Sequence, residues 1–441
     1  GTMMGHIESM SRDIALLEVL GPNPNTTIEA LKIEALKIAK KFDRGTGKTR
    51  AQDLYSGDIN MFEDMYNTFT RNALIPASVK LANYSSMLRN LLTASSLGSV
   101  TPIAVPTDMM SSRITAQMMG LPVTKLMVRM FSQTIDGMTK TEKTQFGVRL
   151  GLAADNWISN AHAQARYLGE VLGPKKSVVL SDFVLRSTAL SGWTQGARQA
   201  LGIEFLGALG GSKNKKFAQL DKNLRSTMKK YGINEQKWNI IRSTEMETVK
   251  GVDFVRPLNI QNRTDINASL RDEIGVQLTN IIHNETNRAV PGATIRSRAT
   301  IFGVQKRGTV GGELTESAKQ FKSFPIAIMQ GNLLRYLTLD AGFFTKVRWG
   351  IDFLTTMTFA GALGMQARQL VANKDPQNMN DRKFWFSAFL YGGGGSILSD
   401  FIFSDLNRFG GGLKDTLMGP SLDAVDRFRD LTVGNAMQAA V

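Results

Sequence analysis

Apolar residues recur three and four positions apart along nearly the whole of this chain. That spacing lines up one face of an α-helix and cannot line up one face of a strand. Ile28, Leu31, Ala35, Ile38, Ala39 and Phe42 show it plainly. Thr26 and Glu29 have capping-box spacing, which predicts a helix opening there and ending near Asp43, before Gly45 and Gly47. A tandem Ile-Glu-Ala-Leu-Lys from Ile28 to Lys37 lies inside this helix. Two copies at so short a period build no solenoid.

Further along, proline, glycine and charge set the divisions. From Ile59 to Glu170 the pattern predicts a run of helices broken at Pro76, Pro102, Pro106 and Pro122. This stretch is rich in methionine, including Met61, Met65, Met109, Met119, Met127 and Met130, a side chain that fills irregular helix contacts or lines adaptable binding surfaces. Pro174-Lys175-Lys176 makes a break before a helix pair from Ser177 to Leu209. Tyr231-Gly232 closes the basic stretch that follows, and Asn234 is placed to cap a short helix containing Trp238. Glu247 to Phe254 reads as two short strands about Lys250-Gly251. In the last third, helices alternate with glycine-rich breaks, and Thr309 to Gly312 opens one whose first turn holds Glu313 and Glu316. The expected fold is all-α, an elongated multi-lobed helical bundle with at most one small β-hairpin. Four regions follow from these divisions: 1–50, N-terminal helices and a basic turn; 51–210, a Met-rich helical domain; 211–300, a basic helical segment with the hairpin; 301–441, a C-terminal helical domain.

Composition narrows the chemistry. The 441 residues are 42% hydrophobic, enough to bury a core. The balance of 53 basic against 38 acidic residues gives +15, which favours anionic partners: nucleic acid, phospholipid headgroups or an acidic protein. With no cysteine, disulfide scaffolds, thiolate metal sites and cysteine nucleophiles are excluded. The three histidines, His6, His162 and His283, are far apart and match no zinc or catalytic spacing. Arg44-Gly45-Thr46-Gly47-Lys48-Thr49 resembles the end of a phosphate-binding loop, but Phe42 stands where its first glycine belongs and a helix precedes it. No cofactor, metal or catalytic residue is expected. Gly1-Thr2-Met3 reads as a cleavage scar or the edge of an excised piece, and Arg12-Asp13 interrupt any signal-peptide run.

Two features suggest surfaces. Lys213, Lys215, Lys216, Lys222, Arg225, Lys229 and Lys230 stand against Asp221 alone, a candidate face for the phosphates of double-stranded DNA or for anionic lipid. A second basic cluster, Arg288, Arg296, Arg298, Lys306 and Arg307, flanks Pro291-Gly292. Ile351 to Met365 and Phe384 to Phe403 are unusually apolar, yet too short or too glycine-split for secure membrane spans. The second contributes candidate membrane-contact residues Phe384, Trp385, Phe386, Phe389, Leu390, Ile397, Leu398 and Phe401, hinged at Gly392 to Gly395.

Several blocks resemble a known family. They are Asn287 to Ala293, Arg298 to Gly303, Arg307 to Leu314 and Gln320 to Pro325, with Leu91 to Gly98, Val105 to Asp108, Gly192-Trp193-Thr194, Tyr231-Gly232-Ile233 with Trp238, and Asn407 to Gly411 in the same order. Across residues 60–441 the chain resembles the C-terminal region of very large tailed-bacteriophage and prophage virion proteins, which are carried inside the head and ejected with DNA. The resemblance implies a structural role in DNA delivery across the host envelope, first in the virion interior and then in that envelope. It implies self-assembly or assembly with other virion proteins, no catalysis in this segment, and any peptidoglycan-cleaving module elsewhere in a longer polypeptide. Absent cysteine suits passage between compartments. The alternatives are a virion packaging or scaffold protein that binds nucleic acid and never meets a membrane, or a lytic enzyme fragment.

Overall fold

The computed structural model describes residues 2–42, 50–72, 75–97, 101–132, 190–249, 251–292, 294–302, 305–319, 330–331, 343–371 and 373–392. Among these residues the protein is all-α apart from one hairpin, with 15 α-helices and a two-stranded antiparallel sheet. The chain divides into two compact units, one of Gly1–Ser85 with Thr294–Lys319, the other of Ser86–Ala293 with Gln320–Val441.

The first unit contains α1 (Thr2–Leu20), α2 (Pro24–Phe42), α3 (Arg50–Phe69), the start of α4 (Val79–Leu97), α12 (Ile295–Phe302) and α13 (Val310–Lys319). Helix α2 begins earlier than its capping-box spacing predicts. Pro24 takes the first helical position, where a missing N–H is harmless, and the Asn23 carbonyl accepts from Thr27 N at 3.2 Å. The Thr27 hydroxyl instead donates back to Leu20 O at 2.6 Å, tying α2 to the end of α1.

The segment from Arg307 to Glu313 folds as a capped turn in this unit. Thr309 Oγ1 accepts from Gly312 N at 3.0 Å at the start of α13. Glu313 accepts from Gly308 N at 2.8 Å and from Arg307 Nε at 3.0 Å, all three buried. Gly308 has a φ of +73°, and a Cβ there would press into the backbone of Ser78. Thus Arg307, Gly308, Thr309, Gly312 and Glu313 each serve the turn itself, and Glu313 works as a buried acceptor rather than as an exposed dipole charge. Gln320 to Pro325 lie outside the described residues.

The second unit holds the main core. Its described elements are the rest of α4, α5 (Thr101–Met119), α6 (Val123–Ser132), α7 (Leu190–Gly210), α8 (Lys222–Lys230), α9 (Glu235–Ser243), β1 (Glu247–Val249), β2 (Val252–Phe254), α10 (Pro257–Gln261), α11 (Ala268–Ala289), α14 (Phe343–Val371) and α15 (Arg382–Tyr391). Met119, Leu126, Met130, Leu201, Phe205, Trp238 and Ile281 are fully buried in one cluster spanning α5 to α11, so Met119 and Met130 fill the core as their density predicted.

Helix α5 runs through Pro102 and Pro106 rather than breaking at either. Both lie near its start, so the bond that Pro106 removes is confined to the opening turns. The helix ends at Gly120, φ +69°. There Leu121 N donates to Ala116 O and Gly120 N to Gln117 O, the paired bonds of a Schellman motif, with Pro122 beyond. A polar seam links α5 to the C-terminal end of α11. Ser111 Oγ donates to Arg288 O and Ser112 Oγ to Ala289 O, each at 3.1 Å, satisfying carbonyls that a helix end leaves open.

The hairpin forms where it was expected, Glu247 facing Phe254 and Val249 facing Val252. It lies against α7 because Gly210 has no side chain: a Cβ there would overlap the Asp253 carbonyl. Helix α14 runs unbroken through Gly361 and Gly364 and packs on α5 and α15. Arg113 of α5 donates to Thr356 Oγ1 at 2.8 Å and approaches Asp352 at 3.4 Å.

Candidate nucleic-acid interface and adjoining pocket

The basic stretch begins as a turn at 211–216, continues as a short 3-10 helix (Phe217–Gln219) and ends as α8. Asp221 is not a stray acid among the lysines. Its carboxylate caps α8, accepting from Asn223 N at 2.8 Å and Leu224 N at 3.2 Å. Leu224, Thr227 and Met228 face the core, which leaves Lys222, Arg225 and Lys229 along the outer stripe. Lys229 and Lys230 lie in the last turn, where positive charge suits the helix dipole. Gly232, φ +82°, closes α8 with a second Schellman pair, Ile233 N to Met228 O and Gly232 N to Lys229 O.

The structure separates the predicted basic residues by role. Lys215, Lys216, Lys222 and Lys229 are exposed, and none joins an ion pair among the described residues. Lys230 is also exposed. Lys213 is committed to the hairpin, where it pairs with Asp253. That bond, with one from the Thr248 hydroxyl, holds the Asp253 carboxyl below its ordinary range. Arg225 is half-buried and donates to Ala218 O at 2.5 Å, bracing the 3-10 turn. The lysine-bearing turn is fixed from beneath by Trp238, whose Nε1 donates to Lys215 O at 2.9 Å. Trp238 is carried by α9, which Asn234 caps by accepting from Lys237 N at 3.0 Å, as the sequence predicted.

No protein family, curated protein or solved structure matches the chain.

The second predicted basic cluster is divided between the two units. Arg288 belongs to one unit, where it donates to the buried Glu285 at 2.6 Å and to the Tyr231 hydroxyl at 3.1 Å. Arg307 belongs to the other and is held by Glu313. Tyr231 OH also donates to Glu285 at 3.0 Å, so the end of α8 is tied to α11. Burial, reinforced by the Glu285 charge, pushes the Tyr231 phenol up. Sequence reading missed this triad because its members are 54 and 57 positions apart.

The apolar candidates are also redistributed. Phe384 was expected to contact membrane, but it is buried with Ala362, Met365 and Ala388. Two glycines make this packing possible: a Cβ on Gly361 would overlap Ala388 O, and one on Gly392 would overlap Met357 O. Gly392 is therefore a close-packing residue. Trp385 is partly buried edge-on against Phe359 and Phe384, and donates to Met379 O at 2.8 Å. Phe386 is exposed and Phe389 half-buried. The Leu390 side chain, Ile397, Leu398, Phe401 and Gly393 to Gly395 lie outside the described residues. No helix among the described residues is long and apolar enough to cross a membrane. The exposed apolar stripe is instead on α14, where Phe344 is 87% and Ile351 61% exposed, with Val347 and Leu354 between and beyond them.

Beside the basic turn is a pocket of about 720 Å³ bounded by α6, α7, the start of α8 and the hairpin. Gly207, Ala208 and Gly211 give it a floor of small residues, and Val128 and Val252 stand at its sides. Glu204, 5% exposed, and Arg129 form a buried ion pair in its wall, with Nε 2.7 Å from Oε1. The alignment falls short of a directed hydrogen bond at Oε1, and Arg129 Nη1 is buried with no hydrogen-bond partner.

Burial raises the Glu204 pKa above its ordinary 4.5, although Arg129 and Lys125 pull it down. A raised value means that the folded protein holds this proton more tightly than the unfolded chain. The resulting stability is complete below the unfolded carboxylate's range and is lost as pH rises through the folded value. The unfolding free energy of wild type minus that of Glu204→Gln is therefore expected to fall as pH rises from the acid range to neutrality. Urea unfolding across that range checks this, and a constant difference would contradict it.

Proposed function

We infer that the chain is an internal virion protein of a tailed bacteriophage, a structural component that helps DNA cross the host envelope without catalysis in this segment. The observation that carries the reading is the set of four exposed lysines, Lys215, Lys216, Lys222 and Lys229, on a braced turn and a capped helix. Rigid mounting lowers the ordering cost of binding phosphates, and each contact releases counterions. The family resemblance and the overall charge of +15 supply the setting: DNA inside the head, then the cell envelope. Self-assembly or assembly with other virion proteins belongs to the same reading.

Contact with anionic membrane is a second part of this reading, favoured by the α14 stripe. Phe344, Val347, Ile351 and Leu354 share one exposed face, with Lys346 and Arg348 in the same turns. That pattern suits a helix lying in the headgroup region rather than crossing the bilayer. One binding experiment tests both parts, using duplex DNA and anionic vesicles across a salt series. Replacing the four lysines with glutamine is expected to flatten the slope of log affinity for DNA against log salt by about 4. Replacing Phe344 and Ile351 with aspartate is expected to reduce vesicle binding and leave DNA binding intact. Unchanged DNA binding in the first variant would remove the basic face from the reading. DNA retention without vesicle binding by the wild type would favour a packaging protein, and peptidoglycan release would favour a lytic enzyme.

A further inference from the structure

We propose that α1 of one copy of the chain docks on the Gly308 turn of a second copy, and that the contact is made twice in a closed pair. This rests on the self-assembly named above and gives it a surface. Both faces belong to the first unit, and each is apolar, exposed and edged by charge of opposite sign.

Helix α1 keeps Ala15, Leu16 and Leu20 half-buried on its inner side. Met10, Ile14 and Leu17 lie on the outer side, each about half exposed, at the four-then-three spacing of a seam that packs on a partner. Asp13 and Glu18 flank this stripe and are exposed. The helix carries three acidic residues against one arginine.

The second face is built where two segments of chain meet. Ala77 N donates to Arg307 O at 2.8 Å, and Gly308 lies directly on the Ser78 backbone. Ile75, Val79 and Val310 stand within two residues of that junction and are 65%, 61% and 69% exposed, and Leu314 follows one turn along α13. The Thr309 cap and the buried Arg307–Glu313 pair hold this surface, so a partner that covers it loses little in ordering it. Lys80 and Lys306 stand beside the apolar residues, exposed and in no ion pair among the described residues. Residues 71–87 and 294–312 contain no acidic residue. An apolar patch with a basic edge fits an apolar helix with an acidic one. Within one chain the α1 stripe stays exposed, so its own turn does not cover it. Each copy presents both faces, and two copies can satisfy each other about a two-fold axis.

Sedimentation velocity of the whole chain over about 1–100 µM tests the pairing. A monomer–dimer equilibrium that weakens as salt rises is expected for the wild type. Val310→Asp puts a charge into the patch at the first turn of α13, where a carboxylate suits the helix dipole and leaves the unit folded. It should weaken association about tenfold or more, as should Ile14→Asp. Two charge reversals then identify the partner faces. Asp13→Lys with Glu18→Lys makes α1 basic, and Lys80→Glu with Lys306→Glu makes the turn acidic. Each variant alone is expected to associate about tenfold more weakly than the wild type. Their equimolar mixture should associate as the wild type does, because both contacts in the mixed pair again join opposite charges. A wild type that stays monomeric, or a mixture that does not recover association, would overturn the proposal. So would full association by the acidic-turn variant alone, which would mean that α1 pairs with α1. Duplex DNA and anionic vesicles are titrated in parallel. A monomeric wild type whose vesicle binding falls in Val310→Asp would give the patch to a membrane instead. Dimerisation by a wild type that binds neither DNA nor vesicles would count against the virion reading and leave this contact standing.

Discussion

Trp238→Ala is expected to destabilise the second unit by about 3–5 kcal/mol, the usual cost of emptying an indole-sized space in a packed core. Trp238 is fully buried in the main cluster, among the contributions of α5 to α11. Its loss would be felt twice, because Nε1 also supplies the hydrogen bond to Lys215 O. That bond fixes the turn from which Lys215 and Lys216 project, so the DNA-binding face should lose its preorganisation along with its support. Trp238→Phe separates the two effects. It keeps most of the ring volume but leaves the Lys215 carbonyl without its donor, at a cost of about 1–3 kcal/mol. Urea unfolding measures both variants. Duplex binding at a temperature where Trp238→Phe remains folded then reads the turn alone. Weaker binding by the folded phenylalanine variant is expected, and equal binding would show that the turn holds its lysines without the indole.

Several local signals in the sequence match local structure, although Pro102 and Pro106 do not break α5. The hairpin about Lys250-Gly251, the Asn234 cap, the Tyr231-Gly232 stop and the Pro122 break all depend on residues within one or two turns of each other. The all-α class follows from the same short-range periodicity. Glycine was harder to read because the same residue serves opposite ends. Gly232 and Gly120 end helices through positive φ, whereas Gly361 sits inside a continuous helix to admit a neighbouring backbone. The burial of Phe384 was hidden for the same reason, since the partner face that covers it is set by Gly361, 23 positions away. Charge misled in a parallel way. Lys213 and Arg288 look like members of basic runs, yet Asp253 and Glu285 hold them. The pocket left almost no trace, because Arg129 and Glu204 meet only after α6 and α7 pack. Its one sequence mark is the group of small residues Gly207, Ala208, Gly210 and Gly211 at the end of α7, which serves both the hairpin contact and the pocket floor.

Glu285→Ala should cost about 3 kcal/mol or more, because it leaves a guanidinium in a largely buried place without its carboxylate. Glu285 is 2% exposed and accepts from both Arg288 and Tyr231. Breaking one member of such a triad is more damaging than removing the charges together, since desolvation of the remaining partner is no longer offset. The double variant Glu285→Ala with Arg288→Ala is therefore expected to be less destabilised than the sum of the single changes. A double-mutant cycle by urea unfolding measures that difference, and strict additivity would mean that the pair is not coupled. Tyr231→Phe provides the link to function. It keeps the ring beside the core and removes only the hydroxyl that joins the end of α8 to Glu285 and Arg288. If this triad sets the angle at which α8 presents Lys222 and Lys229, duplex affinity should fall in Tyr231→Phe with global stability changed by only about 1 kcal/mol. The contrast with Trp238 is then informative: the indole fixes the turn before α8, the triad fixes its far end, and the lysines between depend on both.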